Sequence, residues 1–341
     1  MTTAILTSAV TPPAIAAAAA ASTVAATATA ALAILIQVTA ITAAAPLVVG
    51  VTRQVRARME GRAGAGITQP WRDLRKLARK TPLTADGVLL GSALPVALMA
   101  TSVLLVALLP LVTTVTLPAI PDDLFVVVSV LLLGSVLIAL VGLDAGTAFG
   151  GMGSSRHMMV SALVEPTVLV AVYALSIPVS ASTLSTILTA RMNDPASIVS
   201  PVSVLALVAL LVAVIAETGR LPVDNPSTHL ELTMIHEAMV LEASGRDLGW
   251  LELASWLRLT ALLGLLANLA APWGIAGQVS PGALVLGTAA VVVKVLVLAA
   301  VVAAIEVFLA KVRLFRVPEL LAGSFVLAFL AVTASYLTVT P

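Results

Sequence analysis

The chain has 341 residues, of which 60% are hydrophobic and only 10% are charged, and its mean hydropathy is +1.11. Soluble domains average about 25% charged residues, so this composition predicts a polytopic membrane protein. The formal net charge of +1 gives no reason to expect nucleic acid as a partner. Because the sequence contains no cysteine, the chain can hold neither disulfides nor cysteine-ligated zinc or iron–sulfur clusters.

Apolar runs long enough to cross a bilayer dominate the sequence. A hydrocarbon core about 30 Å thick is crossed by about 20 apolar helical residues. We therefore predict an all-α fold with about eight membrane spans, near 27–51, 87–111, 123–143, 158–179, 199–217, 250–271, 284–309 and 319–339. The Ala-rich segment 1–26 lacks the basic start of a signal peptide, so we expect it to be retained before or within the first helix. Residues 27–341 are predicted to form a single membrane domain.

The charges of the loops indicate an orientation, because lysine and arginine collect in cytoplasmic loops. Of the 18 basic residues, nine lie in the loop after span 1, between Arg53 and Lys80. The loops after spans 3, 5 and 7 contribute Arg156, Arg220, Arg246, Arg258, Lys311, Arg313 and Arg316, whereas the loops after spans 2, 4 and 6 contribute only Arg191. We therefore predict that odd-numbered loops face the cytoplasm and that both termini lie on the outer side.

The second half of the first loop has a helical pattern. Trp71, Leu74 and Ala78 recur on one face, and charged residues fill the other. This pattern predicts an amphipathic helix at the membrane surface, with tryptophan at the level of the headgroups. Such a helix either only anchors the loop to anionic lipid or forms a docking surface for a soluble partner.

The second predicted cytoplasmic loop, 143–160, is rich in glycine. No strand precedes these glycines and no Walker lysine follows them, so we do not predict nucleotide binding. We expect a flexible hinge, with Ser154 or Ser155 capping the next helix. His157 is expected to be an interfacial residue rather than a metal ligand.

Glu165 lies inside span 4 and is followed by Pro166. Ionisable residues at membrane depth often belong to proton or ion paths. The alternative is a protonated glutamic acid that bonds to a neighbouring helix. Asp144, Glu306 and Lys294 raise the same question more weakly.

The segment from Glu217 to Arg246, ETGRLPVDNPSTHLELTMIHEAMVLEASGR, concentrates charge between apolar spans. Arg220 is close enough to pair with Glu217 if the helix continues. A helix is predicted from Ser227 or Thr228 to about Ala243, and it is too short and polar to span, so it is interfacial or re-entrant. The seven residues between His229 and His236 do not match a zinc pattern.

The acids and histidines of this segment have two interpretations. Glu231, Glu242 and His236 are read either as titratable groups of a proton path or as solvated cytoplasmic charges.

The same segment resembles a motif of the membrane subunit 1 family of NADH:quinone oxidoreductase, respiratory complex I. It resembles more closely the homologous subunit of formate hydrogenlyase and other group 4 membrane-bound [NiFe]-hydrogenases, in which the wording DNPxTHLELTMIHEAM is typical. Three other segments agree with this branch: GRAGAGITQPWRDLRKLARK, GMGSSRHMMVSALVEPTVL and KVRLFRVPELLAGSF. The resemblance covers roughly 50–335.

The resemblance implies a non-catalytic subunit that joins a cytoplasmic redox arm to a prokaryotic plasma membrane and couples it to proton or sodium movement. The implied partners are an iron–sulfur small subunit, a large catalytic subunit and antiporter-like membrane subunits, with the iron–sulfur clusters and the NiFe centre in the partners. The implied path residues are Glu165, Glu217, Glu231 and Glu242, with Arg220, Asp224 and His236 as supporting charges. The implied docking residues are Arg62, Gln69, Trp71, Asp73, Lys76, Arg156, Arg313 and Arg316.

Two departures from the complex I pattern count against quinone binding. Quinone-reducing members carry RxGPNxxGP in the first loop, where this chain has GRAGAGITQP, and they often have Glu-Tyr-Ser-Gly where this chain has Glu-Ala-Ser-Gly at 242–245. The hydrogenase-like branch is therefore preferred. Complex I proper, with quinone as acceptor, and an independent secondary transporter or channel are the alternatives.

Overall fold

The fold is described by a computed structural model over residues 13–83, 88–117, 121–224, 234–309 and 316–339. Regular structure within these ranges is helical. The α-helices are α1 (Pro13–Met59), α2 (Gln69–Ala78), α3 (Ala93–Leu108), α4 (Leu124–Asp144), α5 (Ala148–Ser176), α6 (Leu184–Asn193), α7 (Pro201–Glu217), α8 (His236–Val240), α9 (Gly245–Ala270), α10 (Pro281–Phe308) and α11 (Val317–Val339). Short 3-10 turns lie on either side of α6, at Ile177–Val179 and Pro195–Val199.

Six helices of the described residues, α1, α4, α5, α9, α10 and α11, are long and apolar enough to cross a membrane. The apolar helices α3 and α7 are shorter, with 16 and 17 residues, or about 25 Å at a rise of 1.5 Å per residue. Each of the eight predicted spans overlaps one of these eight helices. The all-α, polytopic membrane fold is confirmed, while the number of crossings stays a prediction.

Helix α9 forms the centre of the bundle. Its most apolar stretch is 78% buried inside the protein, against 28–56% for the other five long helices. It packs against α1, α3, α7 and α10, and Leu257, Ala261 and Leu262 have no exposed surface. Apolar side chains on α10 and α11, such as Val285 and Phe329, point outward, as expected for helices that face lipid or neighbouring subunits.

Helix α3 ends earlier than the predicted span, because Pro110 cannot continue it. The freed backbone groups are bonded by buried side chains. Gln37 Nε2 donates to the carbonyls of Val106 and Leu109, and Asn268 Nδ2 donates to those of Pro110 and Leu111. Non-helical backbone is therefore tolerated inside the bundle, since its polar groups are satisfied by protein.

The glycine-rich segment 143–160 is not the hinge that the sequence predicts. Helix α5 begins at Ala148, with Thr147 as its N-cap, so Ser154 and Ser155 lie inside the helix and do not cap it. The glycines allow close packing: a Cβ at Gly150 would collide with the backbone of Gly142 on α4. Ser154 Oγ then donates to the Ala139 carbonyl across the contact.

The predicted charged helix is only partly described. Residues 225–233 lie outside the described ranges, so Ser227, Thr228, His229 and Glu231 do too. The described part, α8, has five residues and packs against α4 and α5, with Ala238, Met239 and Val240 buried. This part of the segment is therefore covered by protein rather than exposed.

Candidate functional site: buried charges around the turn after α7

The turn that follows α7 carries charged residues of the central segment and leads toward α8. Gly219 adopts a positive φ of 58°, and the Arg220 carbonyl accepts from the N–H groups of Val223 and Asp224. The Asp224 carboxylate accepts from the N–H groups of Ile235 and His236, at 3.2 and 3.0 Å. Asp224, predicted as a supporting charge, thus attaches the start of α8 to the turn.

Glu217 is buried and forms an ion pair with Arg258 of α9. The side chains are 2% and 12% exposed, respectively. The same guanidinium Nη2 donates to the Leu131 carbonyl and to Ser135 Oγ, both at 2.8 Å, and Ser135 Oγ lies 3.3 Å from Glu217 Oε1. A buried carboxylate needs such a partner, because an unpaired charge in the bundle is costly.

The predicted Glu217–Arg220 pair does not form. Helix α7 ends at Glu217 and the chain turns at Gly219, so Arg220 faces another helix. Its Nη1 lies 3.1 Å from Oε1 of Glu306 at the end of α10. Arg258, which the loop count assigns to the cytoplasm, instead lies within α9.

Five charged residues of alternating sign continue from Arg220 toward the first loop. Glu306 Oε2 lies 4.0 Å from Arg56 Nη1, and Arg56 Nε donates to Glu60 at 3.1 Å. Glu60 also pairs with Arg62, whose side chain is 70% exposed. We call Arg62, Glu60, Arg56, Glu306 and Arg220 the charge ladder. It joins the end of α1, the end of α10 and the turn after α7.

The carboxyl of Glu60 lies beyond the membrane-spanning part of α1. Hydrogen bonds from Arg62 and Arg56 lower the pKa of this carboxyl below its ordinary value of 4.5. Glu60 is therefore ionised at neutral pH and holds both arginines.

Glu165 is 6% exposed and accepts a hydrogen bond from Ser161 Oγ, one turn earlier on α5, at 2.6 Å. Helices α5 and α7 pack together, and the Glu165 charge lies within electrostatic range of Glu217. The two predicted path acids are thus brought into one region of the bundle. Glu165 lines neither of the two cavities described next, whereas Glu217 lines the smaller one.

Two cavities meet at this site. The larger one has a volume of about 190 Å³ and lies beside the charge ladder, with Arg220, Glu306 and Trp256 in its wall. The smaller one, about 40 Å³, is lined by Glu217, Arg258 and His157. Thr218, His236 and Ser255 line both cavities. The larger cavity has room for several water molecules, because a single water molecule needs only about 10–15 Å³.

His157 and His236 both line the smaller cavity. His157 lies within electrostatic range of both Arg258 and His236, and its Nε2 is buried without a hydrogen-bond partner in the described part of the chain. His157 is therefore part of the polar interior and not the interfacial residue that the sequence suggests. No group of three metal-ligating side chains occurs among the described residues.

Glu242 is separated from this cluster. It is exposed and lines a third cavity with Asp144 and Asp247. The Asp144 carboxylate accepts from the N–H groups of Leu89, Leu90 and Gly91 and so holds the start of α3. The structure does not bring Glu242 to Glu217, and Glu231 lies outside the described residues.

The predicted docking residues divide into two groups. Arg62, Trp71, Lys76 and Arg316 are exposed, and Trp71 keeps 46% of its surface. Gln69 and Asp73 are half-buried and bonded to each other at 2.8 Å, with Arg53 3.9 Å from Asp73.

Arg156 is half-buried and donates to the Met234 carbonyl, so it holds the segment just before α8. Arg313 lies outside the described residues.

Several residues of the site were missed by the sequence reasoning. Ser135 and Arg258 complete the Glu217 pair, and Arg56 and Glu60 extend the charge ladder. The sequence signal for Arg258 is its place inside the predicted span 250–271, where a charge is costly.

Lys294 bonds only to Asn268 Oδ1 at 3.1 Å among the described residues, which places it in the network that supports the break after α3.

The sequence matches known proteins over most of its length. It is 31% identical to formate hydrogenlyase subunit 4 of Escherichia coli K12 over 299 residues, covering 87% of this chain and 96% of that protein. It is 32% identical to hydrogenase-4 component C of the same organism over 292 residues, covering 84% and 90%.

A solved structure shares the fold. A chain of the membrane-bound sulfane sulfur reductase, an archaeal respiratory membrane complex, superposes with a TM-score of 0.78 at 18% identity, covering 89% of this chain and 98% of that chain. The family model described as NADH dehydrogenase matches residues 30–337. The match over this range and the identity to the two relatives agree with the resemblance carried by the central segment, and the chain belongs to the NADH dehydrogenase family.

Proposed function

We propose that this chain is a non-catalytic membrane subunit of a multi-subunit, hydrogenase-like oxidoreductase. The two relatives are a subunit of formate hydrogenlyase and a component of hydrogenase-4, and each aligns with this chain over nearly its whole length. In this role the chain anchors a soluble redox arm to the bilayer and couples electron transfer to the movement of protons or sodium ions. Because the sequence contains no cysteine, we place the redox centres, which are iron–sulfur clusters and a NiFe centre, in the partner subunits.

The observation that carries the coupling role is the pair of cavities that meet at Thr218, His236 and Ser255. Together they form a polar line from Glu306 and Arg220 at one end of the bundle to Glu217 in its interior. Ionisable groups in such a setting are costly and mark ion paths in membrane proteins. Water in the cavities and the imidazole of His236 would pass a proton between the carboxylates.

In this proposal the Glu217–Arg258 pair has two states, one with Glu217 ionised and one with Glu217 protonated. While Glu217 is ionised, Arg258 is held by its carboxylate, by Ser135 and by the Leu131 carbonyl. A proton that reaches Glu217 removes the charge that attracts Arg258 and leaves the guanidinium to its two neutral partners. The neighbouring Glu165 is the next acceptor inward, with Ser161 to hold its carboxylate.

The docking role is supported by the exposed basic surface around the first loop. Arg62, Trp71, Lys76 and Arg316 are accessible, and the nearby charge ladder leads to the larger cavity. We propose that the iron–sulfur and large catalytic subunits bind here, on the cytoplasmic side, and that antiporter-like subunits contact the apolar outer faces of the bundle. Both termini then lie on the opposite side.

Purification of the tagged chain from its native membrane in a mild detergent, followed by mass spectrometry, tests this assignment. A NiFe-type large subunit with ferredoxin-like small subunits is the expected result. Flavin-containing NADH-oxidising subunits would assign the chain to complex I proper. Recovery of a stable, monodisperse single chain would overturn the proposal and favour an independent transporter.

A further inference from the structure

Glu306 sits at the centre of the charge ladder and has unequal contacts with its two arginines. Its Oε1 lies 3.1 Å from Arg220, whereas its Oε2 lies 4.0 Å from Arg56. Glu306 is 4% exposed, so its charge depends on these two cations. Arg220 and Arg56 belong to different parts of the fold, the turn after α7 and the end of α1.

Arg56 is shared between two carboxylates. It lies closer to Glu60, at 3.1 Å, than to Glu306. Glu60 is itself shared with Arg62, the exposed end of the ladder. Every inner member of the ladder therefore has two competing partners, and a change at Arg62 alters the hold of Glu60 on Arg56.

We propose that Glu306 is a positioning residue that transmits occupation of the first loop to the ion-path cavity. An acidic group of the soluble arm that binds Arg62 withdraws this arginine from Glu60. Glu60 then holds Arg56 alone, and Glu306 is left to Arg220 in the wall of the larger cavity. The ladder thus links docking to the geometry of the cavity, an inference that rests on the proposed function.

The geometry favours this route over a direct one. Arg62 and Glu60 do not line the larger cavity, whereas Arg56, Glu306 and Arg220 do. A signal from the exposed end therefore reaches the cavity at Arg56, and the Glu306 carboxylate, which contacts both Arg56 and Arg220, carries it on to Arg220. If the ladder had only a structural role, it would hold α1 against α10. Removing the charge of Glu60 would then leave the cavity unchanged.

The absence of cysteine from the sequence allows a direct test. Ser255 lines both cavities, and Ser255→Cys adds the single thiol of this chain with little change of shape. In the intact complex in native membranes, the rate at which a small neutral maleimide modifies this thiol reports the access of the cavity. The chain is separated on a gel before the label is counted, so cysteines of other subunits do not interfere.

We expect Glu60→Gln and Glu306→Gln each to change this rate by about threefold or more, in the same direction, because both weaken the contact between Glu306 and Arg220. Glu60→Gln frees Arg56 to compete for Glu306, and Glu306→Gln removes the carboxylate itself. Glu306→Asp should return the rate toward that of the parent. Glu319→Gln, which removes an exposed acid at the start of α11 outside the ladder, should leave it unchanged.

An unchanged rate in Glu60→Gln would overturn the proposal, whatever Glu306→Gln does, because the ladder would then carry no signal. A change in Glu60→Gln without one in Glu306→Gln would overturn it equally, since the signal would bypass Glu306. If Glu306→Gln fails to assemble, the rate in Glu60→Gln decides alone: a changed rate supports the ladder and an unchanged rate overturns it. The proposed function is judged separately, by the subunits that co-purify with the parent chain.

Discussion

Glu217 at the end of α7 and Arg258 in the interior of α9 form an ion pair that is almost wholly buried. Both side chains line the smaller cavity, and the Glu165 charge lies within electrostatic range of Glu217. In the proposed coupling role, a proton that moves from the larger cavity to Glu217 meets the positive charge of Arg258 there.

Removal of Arg258 alone should cost more stability than removal of both partners of the pair. Arg258→Met leaves the Glu217 carboxylate buried without its cation, which destabilises a protein by about 3–5 kcal/mol. The double variant Arg258→Met with Glu217→Gln should recover much of this loss. Thermal unfolding of the detergent-solubilised complex measures the difference. Equal stabilities of the single and double variants would show that the pair is not coupled.

Gly134 on α4 makes room for the Arg258 guanidinium. A Cβ at this position would lie 2.5 Å from Arg258 Nη1. Gly134→Ala should therefore displace Arg258 from Glu217 and lower the ratio of ions moved to electrons transferred by about tenfold, as loss of a buried path charge would. Gly151→Ala is the matched control, because a Cβ there meets nothing within 4 Å. If both alanine variants couple normally, the position of Arg258 is not critical.

Asp224→Ala should loosen α8. The substitution removes the acceptor for the N–H groups of Ile235 and His236, and loss of such a cap costs about 1–2 kcal/mol. Amide hydrogen exchange at residues 236–240 should accelerate while exchange in α9 stays unchanged. Asp194→Ala, which removes a similar bond to the Ala196 N–H outside the site, is the control. Unaltered exchange in α8 would contradict the assigned role of Asp224.

The bonds of Glu60 to Arg62 and Arg56 should persist through the physiological pH range. Because the pKa of Glu60 is lowered in the folded chain, the stabilisation is fully present above the ordinary value of 4.5 and is lost as the pH falls through the lowered value. The carboxyl carbon resonance of Glu60, followed by NMR from pH 8 to pH 3, reports the titration. A midpoint at or above 4.5 would show that the arginines do not hold the carboxylate.

The sequence predicts the membrane fold well because hydropathy depends only on local composition. All eight apolar runs became helices, and the amphipathic pattern around Trp71 became α2. The hinge predicted at 143–160 does not form, for a physical reason. Glycine weakens an isolated helix, but Gly142 and Gly150 allow α4 and α5 to approach closely, which only the packed structure reveals.

The partners of the buried charges were beyond sequence reasoning. Arg220 is three residues from Glu217 and was the obvious candidate, yet Arg258, 41 residues away, is the partner. The choice depends on where α7 ends and on the turn at Gly219, and tertiary packing decides both. Glu306, 86 residues from Arg220, was a weak candidate until the ends of α1 and α10 were brought together.

The most direct test of the coupling role is ion movement in vesicles that contain the assembled complex. Glu217→Gln keeps the shape of the side chain and removes its charge, and Glu319→Gln is the control. We predict that both variants retain subunit composition and hydrogenase activity with an artificial dye, while only Glu217→Gln lowers the ions moved per electron pair by about tenfold. An assembled Glu217→Gln complex that moves ions at the wild-type ratio would contradict the account.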